Sequence, residues 1–321
     1  MTTKGIAKIV GLIGTTIKVK NMPNNKEETG CIKKDTSLFF NNLIKGMQIL
    51  NKENVADLFK EISKCNQVEA IALGGSRASE KYDDNSDYDV YVYINENIPK
   101  DIRMNILSKY CCKIEIENQY WEVEDNCTLK SNTDIDIIYR NIEDFDLTIS
   151  NVVQKNIANN GYTTCLWHNL NSCKVLYDKN GKLRELKRKY NITYSDKLRH
   201  NIISKNRKLL NGVLPSYDMQ IKKAIKRNDK VSINHRITEF LASYFDIIFA
   251  INKVSHPGEK RLIQQCIDSC EILPINFEEN INNLFENMFN EDCNLIIEKI
   301  IKNLDKIIEQ VNLLTNKGFY K

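Results

Sequence analysis

The order of apolar patterns predicts an α+β fold: a small mixed β-sheet packed on helices in the first half, then an all-α helical bundle. Three observations carry this reading. Short apolar runs at Val68–Leu73, Tyr88–Ile94 and Ile135–Tyr139 alternate with stretches of helical spacing, as in a sheet backed by helices. From about residue 182 strand-like runs cease, and apolar residues recur at intervals of three and four. Breaks at Asn180-Gly181, Asn211-Gly212, Pro215, Pro257-Gly258 and Pro274 cut that half into helix-sized pieces. At 321 residues the chain is long enough for two domains. The expected division is an unassigned extension over 1–36, a sheet domain over 37–160 and a helical domain over 161–321.

Taken in order, Ile6–Val19 is apolar but interrupted by Lys8 and lacks a clear cleavage site, so it is read neither as a signal peptide nor as a membrane span. Residues 20–36 are polar and read as a linker. Residues 37–64 have helical spacing with a break near Asn51–Asn54. The first strand, Val68–Leu73, leads into a helical turn over Arg77–Lys81, and Tyr88–Ile94 is the second strand. Pro99–Tyr110 is expected to be helical, Lys113–Glu117 to be a strand with Trp121–Glu124 extending the strand region, Ile135–Tyr139 a further strand, and Ile142–Ala158 a helix. The bundle helices are placed at 183–190, 195–210, 217–227, 231–251, 260–270, 281–289 and 293–314.

Apolar residues make up 42% of the chain and charged ones 27%, with a net charge of +4, which describes an ordinary globular protein rather than a polyanion binder. The charge is unevenly spread. Residues 66–146 hold 18 acids against 8 Lys and Arg, whereas residues 181–236 hold 16 Lys and Arg against 4 acids. An acidic site facing a basic wall suits a metal–triphosphate held between them; solvated surfaces give the same counts. The ten cysteines show no Cys-x-x-Cys spacing and no zinc-finger histidine partner. They are read as reduced thiols of a cytoplasmic protein, with no catalytic cysteine.

The chemistry concentrates between Leu73 and Val90. Gly74-Gly75-Ser76 follows a strand, and eleven residues after Ser76 come Asp87 and Asp89, opening the next strand. Residues i and i+2 of a strand share a face, so both carboxylates enter one site. Two hard oxygen ligands beside a small-residue turn suit a divalent cation and a polyphosphate. Glycine permits the close backbone approach that such a turn needs.

Gly74-Gly75-Ser76 followed by Ser86-Asp87-Tyr88-Asp89 resembles the signature of the polymerase-beta-like nucleotidyltransferase superfamily, which includes aminoglycoside nucleotidyltransferases and antitoxin-type enzymes. The resemblance implies a third carboxylate on a neighbouring strand, which Thr133-Asp134-Ile135-Asp136 supplies as Asp136. Asp134 is read as lying at the strand's mouth. His168–Asp178, Leu198-Arg199-His200 and His256-Pro257-Gly258-Glu259-Lys260 resemble bacterial proteins of this type with a helical second domain. The resemblance implies two Mg²⁺ ions (or Mn²⁺) on Asp87, Asp89 and Asp136, and ATP or another nucleoside triphosphate as substrate. Gly74, Gly75, Ser76, Arg77, Ser86 and Lys260 would line the nucleotide site; Arg77 reads equally as part of a structural salt bridge, and Lys260 as a solvated lysine at a helix start. Related proteins carry Arg-Gly where this chain has Ser79-Glu80, which puts phosphate affinity in question more than metal binding.

The reaction implied is transfer of a nucleoside monophosphate, AMP by default, to a hydroxyl with release of pyrophosphate. The acceptor is read as a small molecule such as an aminoglycoside-like antibiotic, drawn by Glu115, Glu117, Glu122, Glu124 and Asp125. A protein or tRNA end, met by the basic stretch 182–230, is the alternative, and a catalytically weak binding module is a third. Glu122, Glu124 and Glu239 are candidates for the general base. Tyr120 and Trp121 are read as core residues rather than stacking surfaces. No membrane contact is expected, and the oligomeric state is left open.

Overall fold

Six strands build one sheet: β1 (Val68–Leu73), β2 (Tyr88–Ile94), β3 (Cys111–Asn118), β4 (Val123–Leu129), β5 (Asp134–Asn141) and β6 (Lys174–Asp178), in the order β3-β4-β5-β2-β1-β6. The computed structural model describes residues 55–78, 86–119 and 122–318, with side chains as far as residue 312. The expectations for residues 1–54, for Ser79-Glu80 and for Tyr120 and Trp121 lie outside those residues. β2 and β5 run parallel, and the other neighbouring pairs are antiparallel. Helices α1 (Val55–Ile62), α2 (Gly75–Ala78), α3 (Lys100–Leu107) and α4 (Ile142–Val153) are interleaved with the strands, and α5 (Cys165–Ser172) precedes β6. The helical half follows as α6 (Lys182–Tyr190), α7 (Asp196–Asn211), α8 (Tyr217–Lys226), α9 (Lys230–Ile251), α10 (Leu262–Ser269), α11 (Phe277–Asn287) and α12 (Asp292–Gly318). The fold is therefore α+β with a mixed sheet, as the patterning predicts. Among the described residues no helix is long and apolar enough to cross a membrane.

Local chemistry sets the boundaries. The Asn141 side chain accepts from the backbone N–H of Glu143 and Asp144, ending β5 and starting α4. Ser195 caps α7 through Leu198 N, and Asp229 caps α9 through Ser232 N. Three elements depart from the sequence reading. β4 runs to Leu129, well past the expected Trp121–Glu124, because its buried face carries Asp125. That carboxylate is fully buried and paired with Arg103 of α3, so the apolar alternation that marks a strand is broken. β6 and α5 have no counterpart in the sequence pattern. All five residues of β6 are half-buried, which erases the two-residue period, and α5 buries only Trp167 and Leu170.

The two faces of the sheet bury different partners. On one, Tyr139 of β5 closes with Ile62 of α1 and Ile106 and Leu107 of α3 around a small void. On the other, Ala70 and Ala72 of β1 and Tyr91 and Tyr93 of β2 join a core that continues through α4 and the helical half. The alanines leave room beside the two tyrosines, and the Tyr93 ring meets Phe145 edge-on at 5.1 Å. Residues 57–321 form one compact unit. Its axis is α9, in which every residue from Ala242 to Ile251 is buried; a helix apolar on all sides belongs at a centre, not at a surface.

One carboxylate interrupts that apolar run. Asp246 accepts from the Thr163 N–H at 3.0 Å, the Thr163 hydroxyl at 2.7 Å and Asn206 Nδ2 at 3.2 Å. Asn206 in turn accepts from Gly161 N at 3.0 Å. These bonds tie the 159–164 turn to α7 and α9. Burial pushes the Asp246 carboxyl up from 3.8 to about 6, against the lowering effect of its hydrogen bonds. Below pH 3.8 both folded and unfolded chains hold the proton. Between 3.8 and about 6 the unfolded chain ionises first, so stability from this group falls as pH rises and the loss is complete above about 6. Urea melts of wild type and Asp246→Asn at pH 4 and pH 7 should therefore show the stability difference moving toward the variant by about 2 kcal/mol, since at pH 4 the unfolded carboxyl is already partly ionised. An unchanged difference would contradict the assignment.

Candidate active site

β1 runs out at Leu73, and Gly74 N still donates to Asp89 O at 2.7 Å, so the Gly-Gly turn is stitched to the start of β2. Gly75 then takes φ +60, and a Cβ built on it would lie 1.8 Å from Asp89 Oδ2. Only glycine allows the turn to sit against that carboxylate. A Cβ on Gly74 would fall 2.6 Å from the Tyr91 ring. Ser76 continues into α2 half-buried. Arg77 is buried; it donates to the carbonyls of Ser86 (2.9 Å) and Asp87 (3.0 Å) and lies 3.9 Å over the Tyr88 ring. It therefore braces the backbone that delivers Asp87.

The parallel ladder between β2 and β5 sets Asp89 directly opposite Asp136. Oxygens of Asp87, Asp89 and Asp136 lie within 4.8 Å of one another. Burial, then Asp87 and Asp136, holds the Asp89 carboxyl above the usual carboxylate range, and Lys260 partly offsets this. The cluster is an all-oxygen donor set with an excess of negative charge, which fits a hard divalent cation. Lys260 Nζ stands 4.0 Å from Asp87 Oδ2 and is 78% exposed.

Around Asp136 the sheet supplies support that the sequence reading missed. Asn126 of β4, opposite Asp136 in register, donates to it at 2.7 Å, and Asn118 donates to Asn126 at 2.6 Å. The signal for Asn126 is the two-residue alternation Glu124, Asn126, Thr128, legible once β4 is recognised. Asp134 is exposed and accepts from the Thr128 hydroxyl at 2.8 Å. A pocket of about 570 Å³ opens from Asp87 and Asp136, with Glu115, Asp134 and Lys113 also on its wall.

The acids proposed to attract a cationic acceptor separate into two groups. Asp125 points to the other sheet face and pairs with Arg103; Glu117 is held by Lys100 and by Arg103 at 3.5 Å. Glu122 forms a two-point pair with buried Arg140, at 2.7 and 2.6 Å. These three are bound by structural cations, which leaves Glu115 in the pocket and Glu124 near Asp136. Burial raises the Glu124 carboxyl; Asn126 lowers it and the neighbouring Asp136 raises it further. Glu239 sits exposed on α9, with the Tyr217 hydroxyl 3.5 Å away.

A sequence profile described as a nucleotidyltransferase domain matches residues 52–159, the segment that carries all three aspartates. Residues 52–159 are a nucleotidyltransferase domain. The chain is thus a nucleotidyl-transfer enzyme. A second profile, described as a domain of unknown function (DUF4037), matches residues 163–262, which include Lys260. No curated protein matches the sequence. Among solved structures, a nucleotidyltransferase-like protein from Exiguobacterium sibiricum is 10% identical over 78% of this chain and 72% of its own, with a TM-score of 0.35. An aminoglycoside 6-adenyltransferase from Bacillus subtilis is 11% identical over 82% and 96%, at 0.26. A Thermotoga maritima CCA-adding enzyme complexed with tRNA is 12% identical over 83% and 82%, at 0.27.

Gly75 gives this nucleotidyltransferase domain a sharp test. An added methyl group must displace the Asp89 carboxylate and strain a left-handed turn, at about 1–3 kcal/mol. Gly75→Ala is expected to lower nucleotide transfer about 10²-fold, the scale of a misplacement near 1 Å, while the melting temperature falls by only a few degrees. Parallel transfer assays and thermal melts check both.

Proposed function

We propose that the enzyme moves AMP from ATP onto a hydroxyl of a small polycationic acceptor of the aminoglycoside kind, releasing pyrophosphate, with catalysis at Asp87, Asp89 and Asp136. The observation that carries this reading is the pocket opening from Asp87 and Asp136. Its described wall adds the carboxylates of Glu115 and Asp134 against one lysine, Lys113. Such a wall favours amines over a phosphate-bearing macromolecule. The expected boundary at residue 160 moves, because β6 (Lys174–Asp178) completes the sheet beside β1; the catalytic domain is taken to run through β6 and the helical domain to follow it, contributing Lys260. The cysteines described are all thiols, in keeping with a cytoplasmic enzyme.

Asp87 and Asp89 would bind two Mg²⁺ ions, or Mn²⁺, with Asp136 holding the one on the acceptor side. Bound there, the ions would supply Lewis-acid activation of the acceptor oxygen and neutralise charge on the departing pyrophosphate. The Gly74-Gly75-Ser76 turn and Ser86 would face the triphosphate. Lys260 would stabilise the charge that gathers on the leaving group. Glu124 is the general base of choice among the three candidates. Its carboxyl is held above the ordinary range beside Asp136, whereas Glu122 is committed to Arg140 and Glu239 lies on α9 with Tyr217.

Asp87→Asn and Asp89→Asn should abolish transfer of labelled nucleotide with Mg²⁺ or Mn²⁺. The melting temperature without metal should be unchanged or higher, because each variant removes a like charge from the cluster. An absence of labelled product from wild type across a broad aminoglycoside panel would remove the acceptor assignment. Glu124→Gln is expected to lower kcat about 10²- to 10⁴-fold, the range for loss of a general base. Glu122→Gln should instead lower thermal stability, since it leaves the buried Arg140 guanidinium without its carboxylate. Steady-state kinetics and melts on the two variants separate these roles.

A further inference from the structure

Lys260 is 78% exposed, so the backbone that carries it sets its position. That backbone is the 252–261 connection between α9 and α10, in which Lys253, Gly258 and Arg261 all take positive φ. The connection is pinned at its middle by His256, which is fully buried. The imidazole packs against the rings of Tyr162 and Phe249, each tilted to it with centroids 4.8 Å away. His256 N donates to the Thr164 hydroxyl at 2.8 Å, and Gly258 N donates to His256 Nδ1 at 3.2 Å. The preceding Ser255 hydroxyl lies 3.0 Å from His168 Nδ1.

The choice of imidazole here has a cost. Because Nδ1 accepts, the ring proton resides on Nε2, which is buried with no hydrogen-bond partner among the described residues. Buried polar groups are normally satisfied, and a phenylalanine would fill the same aromatic surroundings without an unpaired ring N–H. What phenylalanine lacks is the Nδ1 acceptor for Gly258 N, two residues before Lys260. Burial drives the His256 pKa down to about 3, so the acceptor persists through the neutral range.

We propose that His256 is a positioning residue for Lys260: its Nδ1 fixes the Pro257-Gly258 turn, and that turn sets the lysine ammonium at Asp87 and against the triphosphate. The proposal rests on Lys260 contacting the triphosphate, as set out under Proposed function. A double-mutant cycle with His256→Phe and Lys260→Ala tests it. The readout is the Kd for the tightest of a panel of α,β-methylene nucleoside triphosphates with Mg²⁺, by calorimetry. Lys260→Ala and His256→Phe should each weaken binding about tenfold, and the double variant should bind within about twofold of Lys260→Ala alone. If His256→Phe weakens binding as much in the Lys260→Ala background as in wild type, His256 acts on the fold at large and the positioning role is overturned, with the role of Lys260 intact. An unchanged Kd in Lys260→Ala overturns the phosphate role of Lys260 and the positioning role together. Should His256→Phe fail to fold, Thr164→Val takes its place in the cycle, removing the hydroxyl that accepts from His256 N.

Discussion

The parallel pairing of β2 with β5 is the constraint on which the site depends. A shift of one residue would turn Asp136 to the opposite face of the sheet and put Ile135 or Ile137 across from Asp89. The register also distributes the surrounding chemistry. On the catalytic face the rows run Asp89, Asp136, Asn126 and then Tyr91, Ile138, Glu124. On the reverse face Ile135, Ile137 and Tyr139 are buried, in line with Asp125. Apolar burial on one face thus fixes which carboxylates meet on the other.

Three carboxylates brought this close oppose folding unless something offsets their repulsion. Part of the offset is local: Asn126 donates to Asp136, Lys260 faces Asp87, and Arg77 holds the carbonyls leading into Asp87. The remainder appears as the raised Asp89 carboxyl. Charge left uncompensated in this way marks a place where binding a cation releases free energy. The Glu122–Arg140 pair shows the opposite arrangement, in which an acid and a base are matched inside the fold and neither is left for a ligand.

Asp87, Asp89 and the Gly-Gly turn were legible in the sequence because their spacing restricts the geometry, whereas Asp136 and Lys260 were reached only through the family resemblance. Asp-x-Asp at the start of a strand has one outcome for its two side chains, and a glycine pair after a strand has few others. The support around them was not legible for a physical reason. Strand reading depends on apolar residues at buried positions, and β4 buries Asp125 through an ion pair to a helix some twenty residues earlier. With β4 unread, Asn126 had no face to be assigned to, and the acids of residues 115–125 seemed one group when Arg103 and Arg140 divide them. His256 is a similar case: an isolated histidine after a long helix acquires meaning only when Thr164 and Tyr162 are brought beside it.

β6 has a bearing on how the chain could be divided. It comes from residues 174–178 and lies along the outer side of β1, the strand whose end forms the Gly-Gly turn. Cut at residue 160, the chain would leave β1 as an unprotected margin, six buried residues with open hydrogen-bonding groups. During synthesis the sheet is one strand short until residue 178 has emerged. A division at residue 160 is therefore not one at which recombination could exchange the two parts freely, because the catalytic sheet takes its last strand from beyond it.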